Sequence, residues 1–329
     1  MKFTESMLDG YSQPLSDTED SKCKNAIRMV GDSLKNLGFK DDNTGIVPLY
    51  PDTLAYSLRM KTSSGRSVKL FVQGSYANNT NVRTHSDVDI AVVQEDIFTT
   101  KYRDASSLYP QSDADYHFTT VQPSAKSFKD EVQECLEQDF GDDVERKNKS
   151  IKVHGNTYRK DADTVPCRRY RDYRNDYLKN PDNYIGGIVI TPDCGPTIIN
   201  YPEQHIANGR EKNEATHHHY KKMVRIMKKM RYLMADSSVS TYASAANNVS
   251  SFLLESLLWN VDNQWYLDNC GKYRKVYAFH LLIQLLDSSR LDYMQYKEAN
   301  GIKPLCENET VKDNLCAFIN QLKLFYDYE

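Results

Sequence analysis

Two acidic residues, Asp87 and Asp89, stand one residue apart in the otherwise apolar stretch "DVDIAVV" (87–93). Successive side chains of a strand point to opposite faces, so both carboxylates are expected on one face, with Val88 and Ile90 on the other. Two carboxylates side by side repel each other and raise each other's pKa unless a cation lies between them. Mg²⁺ suits such oxygen ligands and often bridges one or two carboxylates to substrate phosphates. The spacing therefore predicts a magnesium site that handles phosphates.

A phosphate-binding turn is expected just before these acids. "SVKLFVQG" (67–74) has the β-branched and aromatic content of a strand and ends at a glycine, and the segment after it has room for only one small helix. Gly74 allows close backbone approach, Ser75 offers a hydroxyl, and a following helix N-terminus would present free N–H groups. A lone Asp-x-Asp is common in caps and turns, whereas this strand, turn, helix and second strand together are far more specific for catalysis.

Two further segments of the first part of the chain have clear local signals. "SDTEDSKCKNAIRMVGDSLKNLG" (16–38) predicts a helix with Ser16 as N-cap and Gly38 as the stop. "IKVHGNTYRKDADTVPC" (151–167) predicts two strands around the turn HGNT, the second ended by Pro166. The first part is therefore expected to mix strands and helices.

From about residue 214 onward the apolar period becomes helical. "THHHYKKMVRIMKKMRYLMAD" (216–236) sets Lys and Arg opposite an apolar face made of Tyr220, Met223, Val224, Met227, Met230 and Met234. "SSFLLESLLWNV" (250–261) and "KVYAFHLLIQLLDSS" (275–289) continue as helices. We therefore expect an α+β fold in which a mixed sheet flanked by helices occupies residues 1–205 and a helical domain occupies residues 206–329.

Composition narrows the class of protein. The 329 residues suggest about two domains, and a 40% hydrophobic content is sufficient for their cores. A net charge of −3 provides no broad surface for wrapping DNA or RNA, so a polyanionic ligand should be small or held in one cleft. The seven scattered cysteines have no zinc-ligand spacing and are expected to be reduced, buried thiols. Without a long apolar run or a signal sequence, the chain is expected to be cytoplasmic.

The stretch "GSYANNTNVRTHSDVDIAVV" (74–93) resembles the catalytic signature of polymerase β-like nucleotidyltransferases, and in particular of the cGAS/DncV-like nucleotidyltransferase (CD-NTase) family. The resemblance extends over most of the chain through "DADTVPC" (161–167), "NYPEQH" (200–205), "YKKMVRIMKKMR" (220–231) and "SSFLLESLLWNV" (250–261). It implies a polymerase β-like nucleotidyltransferase core packed against a C-terminal helical bundle.

The resemblance also implies an enzyme that joins nucleoside triphosphates into a cyclic di- or trinucleotide, a second messenger of bacterial anti-phage (CBASS) defence. Two Mg²⁺ ions, or Mn²⁺ in their place, would act at Asp87, Asp89 and a third acid, and a ribose hydroxyl would attack an α-phosphate and release pyrophosphate. Similarity to the family's Asp-Val-Val-Pro pattern makes Asp163 the third acid. Asp161 stays an alternative, because a register slip along the strand would exchange the two.

The same resemblance assigns nucleotide-binding roles in the helical third. Lys228 matches the family's phosphate-contacting lysine, Ser251 a second phosphate ligand, and Phe252 the ring on which a base stacks. Most other Lys and Arg residues of 220–231 are expected to form a solvated helix face. The expected partners are nucleoside triphosphates such as ATP and GTP, and a separate effector protein that binds the cyclic product.

Three remaining features have less specific interpretations. The run His217–His219 cannot converge on one metal ion from a helix and is expected at the surface. "CRRYRDYRNDY" (167–177) is compatible with a nucleic-acid surface, but the near-neutral chain favours a cleft rim or a solvated loop. The zinc insertion of the DNA-sensing animal synthase is missing, so no long-DNA activator is expected. Glu329 departs from the small C-terminal residue through which some family members are ligated.

Two other functions stay open. A transferase of another kind would move one nucleotide onto a small molecule, an RNA or a protein, and a pseudo-enzyme would only bind nucleotides. The full length and the helical third favour the cyclic product over the first, and the presence of all the acids argues against the second. We expect a monomer, and the bases, the linkage and the ring size stay open.

Overall fold

The computed structural model describes residues 2–14, 17–42, 45–50, 53–82, 87–122, 124–157, 159–287 and 289–328. The chain divides into two compact units. The helical unit comprises Met1–Ser16, Asn78–Ser86 and Gln204–Glu329, and the sheet unit comprises Asp17–Ala77 and Asp87–Glu203. This division differs from the predicted two-part split at 205/206, because two earlier segments belong to the helical unit. Ser16 and Glu329, on which two predictions depended, lie outside the described residues.

One mixed sheet forms the centre of the sheet unit. Its ten strands in the described ranges are β1 (Lys40–Asp41), β2 (Val47–Pro48), β3 (Tyr56–Lys61), β4 (Ser67–Gln73), β5 (Val88–Lys101), β6 (Val144–Arg146), β7 (Ile151–Val153), β8 (Ala162–Asp172), β9 (Ile185–Ile190) and β10 (Ile198–Asn200). The main order is β1-β3-β4-β5-β8-β7-β6, with β2 paired to β3, β9 to β8 and β10 to β9. β5 and β8 run parallel, and the other pairs are antiparallel.

The α-helices in the described ranges are α1 (Glu5–Tyr11), α2 (Asp17–Leu34), α3 (Gly74–Ala77), α4 (Phe128–Phe140), α5 (Pro202–Ala215), α6 (His219–Ala235), α7 (Ser240–Asn247), α8 (Ser251–Trp259), α9 (Asn263–Asn269), α10 (Lys275–Leu285) and α11 (Glu309–Phe325). In the sheet unit, α2 and α4 pack against the strands. The predicted helix over 16–38 is confirmed as α2 and a 3₁₀ turn, and it stops at Gly38, whose φ of 84° is left-handed.

The prediction that Pro166 ends its strand is wrong. β8 continues through Pro166 to Asp172. On the edge of β8 that faces β7 and β9, residues 162–164 pair with β7 and residues 168–172 pair with β9. Pro166 lies in the gap between these two ladders. Neither β7 nor β9 pairs with it, so its missing N–H does not break a hydrogen bond on that edge.

The prediction of a cleft rim or a solvated loop at 167–177 holds only in part: Cys167 and Arg168 line a cleft of the sheet unit and Tyr177 is 65% exposed, but the first half of the segment is a strand. Its first six residues complete β8, and Arg169 is only 4% exposed. The Arg169 guanidinium lies 2.5 Å from a Glu95 carboxylate oxygen and 2.6 Å from one of Glu203. Arg169, Tyr170 and Tyr173 therefore belong to the interior of the sheet unit, where acids compensate the buried charge of Arg169.

The helical unit confirms the three predicted helices as α6, α8 and α10, but helical structure begins at Pro202 and not near residue 214. Of the run of histidines, His217 and His218 are exposed as predicted, whereas His219 is partly buried. His217 and His218 have left-handed φ values of 48° and 64° and separate α5 from α6, so the run does not lie inside one helix. None of the helices in the described ranges is long and apolar enough to cross a bilayer.

The apolar face predicted for α6 is buried, but the solvated face predicted opposite it is present only in part, because Lys222, Lys229 and Arg231 are half-buried and the other three basic residues are buried. Lys221, Arg225 and Lys228 are 6%, 5% and 2% exposed. Burial lowers the pKa of Lys221 to about 8. Packing within the helical unit covers part of the face opposite the Met stripe, where the Arg225 guanidinium donates to the carbonyl oxygens of Ser12 and Asn79. The cysteine prediction holds for four free, buried thiols and is wrong for Cys194, which is exposed, and Cys316, which is partly buried; the Cys23 side chain lies outside the described residues.

Candidate active site

Parallel pairing of β5 and β8 brings the predicted acids together. Asp89 and Asp163 are direct partners in the register, so their side chains leave the sheet on the same face. Asp87 precedes β5 by one residue and stands two residues before Asp89. Further along the same strands, this face continues as a buried apolar cluster that includes Ala91, Val93, Val165 and Cys167. The carboxylates therefore lie where the apolar core of this face ends.

The register also distinguishes the two candidates for the third acid. Asp163 pairs with Asp89, whereas Asp161 lies before the first residue of β8. One carboxylate oxygen of Asp161 accepts a hydrogen bond from the Gly155 N–H at 2.6 Å, and the other lies 2.6 Å from the Lys152 ammonium. Burial acts to raise the pKa of Asp161, but these two donors outweigh it and hold that pKa below its ordinary value. Both carboxylate oxygens of Asp161 are thus already bound by other groups of the protein.

Lys152 is a residue of this site that sequence reasoning missed. Its side chain is 13% exposed, and its Nζ lies 3.1 Å from Oδ2 of Asp87 as well as 2.6 Å from Oδ2 of Asp161. Burial acts to lower the pKa of Lys152, but the hydrogen bonds to Asp161 and Asp87 outweigh it and raise that pKa. A signal was present, since Lys152 stands between the buried Ile151 and Val153, in the same alternation that exposed the acids.

The cation nearest to Asp163 interacts with it more weakly. The Nζ of Lys147 lies 3.6 Å from Oδ1 of Asp163, and the Ser150 hydroxyl lies 3.5 Å from the same oxygen. Lys147 is more than one-third exposed, so solvent screens its attraction to the carboxylate. Asp163 is therefore held less firmly than Asp161.

The lack of a side chain at Gly74 leaves room for the Asp89 carboxylate. A Cβ at Gly74 would lie 2.3 Å from Oδ2 of Asp89, which no real side chain would tolerate, and the φ of +68° is left-handed. The glycine was predicted to allow a phosphate close to the backbone, and its neighbour in this structure is the Asp89 carboxylate. Ser75 follows in α3, which has only four residues and so presents little helix dipole.

The donors of this face fit Mg²⁺ in chemistry and in register. Asp87, Asp89 and Asp163 supply hard oxygen ligands from two neighbouring strands. Within the described ranges, however, no three Asp, Glu, His or Cys side chains converge closely enough to enclose an ion. Lys152 is the cation beside Asp87.

Lys228, predicted to contact phosphate, lies in the helical unit and is buried. Its Nζ lies 2.5 Å from Oε2 of Glu255 and donates to the Thr80 hydroxyl at 2.9 Å. Thr80 in turn donates to Glu255 at 2.7 Å, and His205 Nε2 lies 2.9 Å from the other Glu255 oxygen. Two of the three N–H groups of Lys228 are therefore used inside this unit.

Ser251 and Phe252 stand at the start of α8. Ser250 is the N-cap, and its hydroxyl accepts from the Leu253 N–H at 3.0 Å. The Ser251 hydroxyl has no hydrogen-bond partner in the part of the chain that the structure describes. Phe252 is 45% exposed, and its ring centroid lies 5.2 Å from that of His205. This end of α8 offers a free hydroxyl and an accessible aromatic face.

A cleft of about 650 Å³ in the sheet unit involves none of the acids discussed above. Several charged side chains of its walls are paired with each other: Arg66 with Glu131 at 2.5 Å, and Lys129 with Asp193 at 2.9 Å. Such pairing compensates those charges without a ligand. The cleft is therefore a weaker candidate for chemistry than the carboxylate face.

Comparison with known proteins gives consistent results. A family model described as the cGAS/DncV-like nucleotidyltransferase C-terminal helical domain matches residues 207–327. The cyclic GMP-AMP synthase CdnE03 of Staphylococcus schleiferi is 44% identical over 100% of this chain and 98% of its own length. The cyclic dipyrimidine nucleotide synthase CdnE of Cecembia lonarensis is 36% identical over 80% of this chain and 77% of its own.

A solved structure supports the same comparison. That of the Elizabethkingia meningoseptica CdnE cyclic dinucleotide synthase, with GTP and Apcpp, has a TM-score of 0.68 and 30% identity. The match covers 99% of this chain and 100% of that one. The predicted fold class is therefore confirmed.

Proposed function

This chain belongs to the cGAS/DncV-like nucleotidyltransferase family and is a nucleotidyltransferase, and from that premise we propose that it joins two nucleoside triphosphates into a cyclic dinucleotide. One observation carries the proposal. The in-register pair Asp89 and Asp163, with Asp87 two residues earlier, gathers three acids beside the Gly74-Ser75 turn. The relatives named above are synthases of cyclic dinucleotides, so we take the smaller ring.

In the proposed mechanism Asp87 and Asp89 would hold one metal ion, and Asp163 would join them in holding a second. Two Mg²⁺ ions, or Mn²⁺, bound there would neutralise triphosphate charge and lower the pKa of the attacking ribose hydroxyl. The three carboxylates would place these charges on the face of the sheet where Asp89 and Asp163 are paired. The new bond forms at the α-phosphorus, pyrophosphate leaves, and a second such transfer closes the ring. Most of the rate comes from positioning and charge neutralisation.

The proposed nucleotide contacts follow from the free groups of each unit. Ser75 offers its hydroxyl to phosphate beside Asp89, and Ser251 offers its own at the start of α8, where unpaired backbone N–H groups favour anions. Phe252 presents the ring on which a base stacks. Lys228 has one N–H left for a phosphate after bonding Glu255 and Thr80.

Replacing Gly74 by Ala should separate the needs of catalysis from those of folding. The new Cβ would displace the Asp89 carboxylate and would also strain a left-handed residue, at a cost of about 1–2 kcal/mol. Because small displacements of a catalytic group cost about a hundredfold in rate, we expect at least that loss of synthesis. Gly65→Ala is the matched control, since Gly65 has a φ of +92° but nothing within 4 Å of its Cβ. Equal activity of the two variants would contradict the placement of Asp89.

Product analysis tests the proposed function. We would incubate the protein with ATP, GTP, CTP and UTP and Mg²⁺, treat the mixture with phosphatase, and identify products by mass spectrometry. The expected result is a phosphatase-resistant cyclic dinucleotide with two pyrophosphates released for each ring, and EDTA should abolish it. Transfer of a nucleotide to another acceptor would support a different transferase, and nucleotide binding without turnover would support a pseudo-enzyme.

The choice of bases needs the same experiment with pairs of nucleotides. The relative at 44% identity is named for GMP and AMP, and the one at 36% for two pyrimidines, so membership of the family does not select the bases. The higher identity makes GTP with ATP the first pair to test. We further propose that the enzyme is a cytoplasmic monomer whose product acts on a separate effector protein in anti-phage defence, as the family resemblance implies.

A further inference from the structure

The cation that compensates the acids of the sheet unit comes from the chain itself. Lys152 stands on β7 directly opposite Asp163 of β8, so its side chain leaves the sheet on the same face as the acids. Its ammonium bridges Asp87 and Asp161. The repulsion between neighbouring carboxylates is thus relieved in part before any metal ion binds.

The two carboxylates that bind the Lys152 ammonium differ in how tightly the structure holds them. Asp161 is the closer at 2.6 Å, and its other oxygen is fixed by the Gly155 N–H at 2.6 Å. Asp87 is farther at 3.1 Å, and its side chain is 43% exposed. Asp161 is therefore an anchor, and Asp87 is the partner that can be exchanged.

We propose that Lys152 is an internal counter-ion of the active site, which neutralises Asp87 in the metal-free enzyme and gives it up when a divalent cation binds. The inference rests on the proposed function, because it takes Asp87 as a metal ligand. When a metal ion takes Asp87, Asp161 keeps Lys152 paired, so no buried ammonium is left alone. Lys152 thus acts as a positioning residue that competes with the metal ion.

Metal binding without nucleotide tests the inference directly. We would titrate each protein with Mn²⁺ and measure free Mn²⁺ by electron paramagnetic resonance. Lys152→Met removes the competitor, and we expect about three- to tenfold tighter Mn²⁺ binding. Asp161→Asn leaves Lys152 with Asp87 alone, so Mn²⁺ binding should weaken about threefold. Lys149→Met is the matched control, because Lys149 is exposed and close in sequence, and its binding should equal wild type.

The double variant separates competition from simple electrostatics. If Asp161 acts only by anchoring Lys152, then Asp161→Asn has no effect on Mn²⁺ affinity in a Lys152→Met background, whereas a direct charge effect would be additive. A second readout is thermal unfolding, in which Lys152→Met should be destabilised in EDTA and recover with Mn²⁺ more than wild type does.

The outcomes distinguish this inference from the proposed function. The counter-ion inference is overturned if Lys152→Met binds Mn²⁺ no more tightly than the wild type does, provided that the wild type binds Mn²⁺ through Asp87 and Asp89. Weaker nucleotide binding with unchanged Mn²⁺ binding would make Lys152 a phosphate ligand instead, and also overturns it. Wild-type Mn²⁺ binding that is insensitive to Asp87→Asn with Asp89→Asn would contradict the metal site of the proposed function.

Discussion

Replacing Asp87 and Asp89 together by Asn is expected to abolish synthesis, with a loss of at least about a thousandfold in rate. Asn keeps the shape of Asp but removes the charge that would hold a divalent cation, so positioning and neutralisation of the triphosphate are both lost. The fold should survive, since Asp87 is 43% exposed on its side chain and Lys152 keeps Asp161 as its partner.

The measurement is cyclic product formed per unit time, with thermal unfolding recorded on the same samples. Asp142→Asn is the matched control, because Asp142 is an exposed acid of the sheet unit outside the site. We expect that control to retain wild-type activity and the double variant to unfold within a few degrees of wild type. Turnover retained by the double variant would remove Asp87 and Asp89 from the mechanism.

Replacing Glu255 by Gln is expected to destabilise the helical unit by about 3–5 kcal/mol, because it leaves the Lys228 ammonium buried without a counter-charge. Glu255 and Lys228 are each 2% exposed, so solvent cannot replace the missing partner. His205 and Thr80 would also lose their charged acceptor. Equilibrium unfolding in urea checks the change, and Glu211→Gln on exposed α5 surface is the control that should differ little from wild type.

We also expect the effect of Glu255→Gln on the free energy of unfolding to depend on pH. Burial acts to raise the pKa of Glu255, but the Lys228 charge and the His205 hydrogen bond outweigh it and hold that pKa well below the ordinary value of 4.5. A depressed pKa in the folded state means that the stabilisation is fully present above about pH 4.5 and is lost as the pH falls toward the folded pKa. The stability gap between wild type and Glu255→Gln should therefore shrink below pH 4.5. A gap under about 1 kcal/mol at pH 7 would contradict the ion pair.

Local pattern predicted the parts of the site that one segment contains. The alternation around Asp87 and Asp89 placed both acids on one face, and the apolar stripe of α6 was located residue by residue. The same local logic went wrong where a second element decides the outcome. Pro166 is accommodated because β7 and β9 leave a gap beside it, and Arg169 is buried because Glu95 and Glu203 meet it.

By itself, the sequence determined the fold class, the strand that carries the acids, the Gly74-Ser75 turn and the family, because these depend on short-range spacing that the chain states directly. Only the tertiary structure decided that Asp163 and not Asp161 pairs with Asp89, that Lys152 reaches Asp87, and that Lys228 is bound to Glu255. The physical reason is that charge compensation is a property of the residues that surround a group. Those neighbours come from β7, β8 and α8, tens of residues away in the chain, and sequence spacing does not record which of them meet.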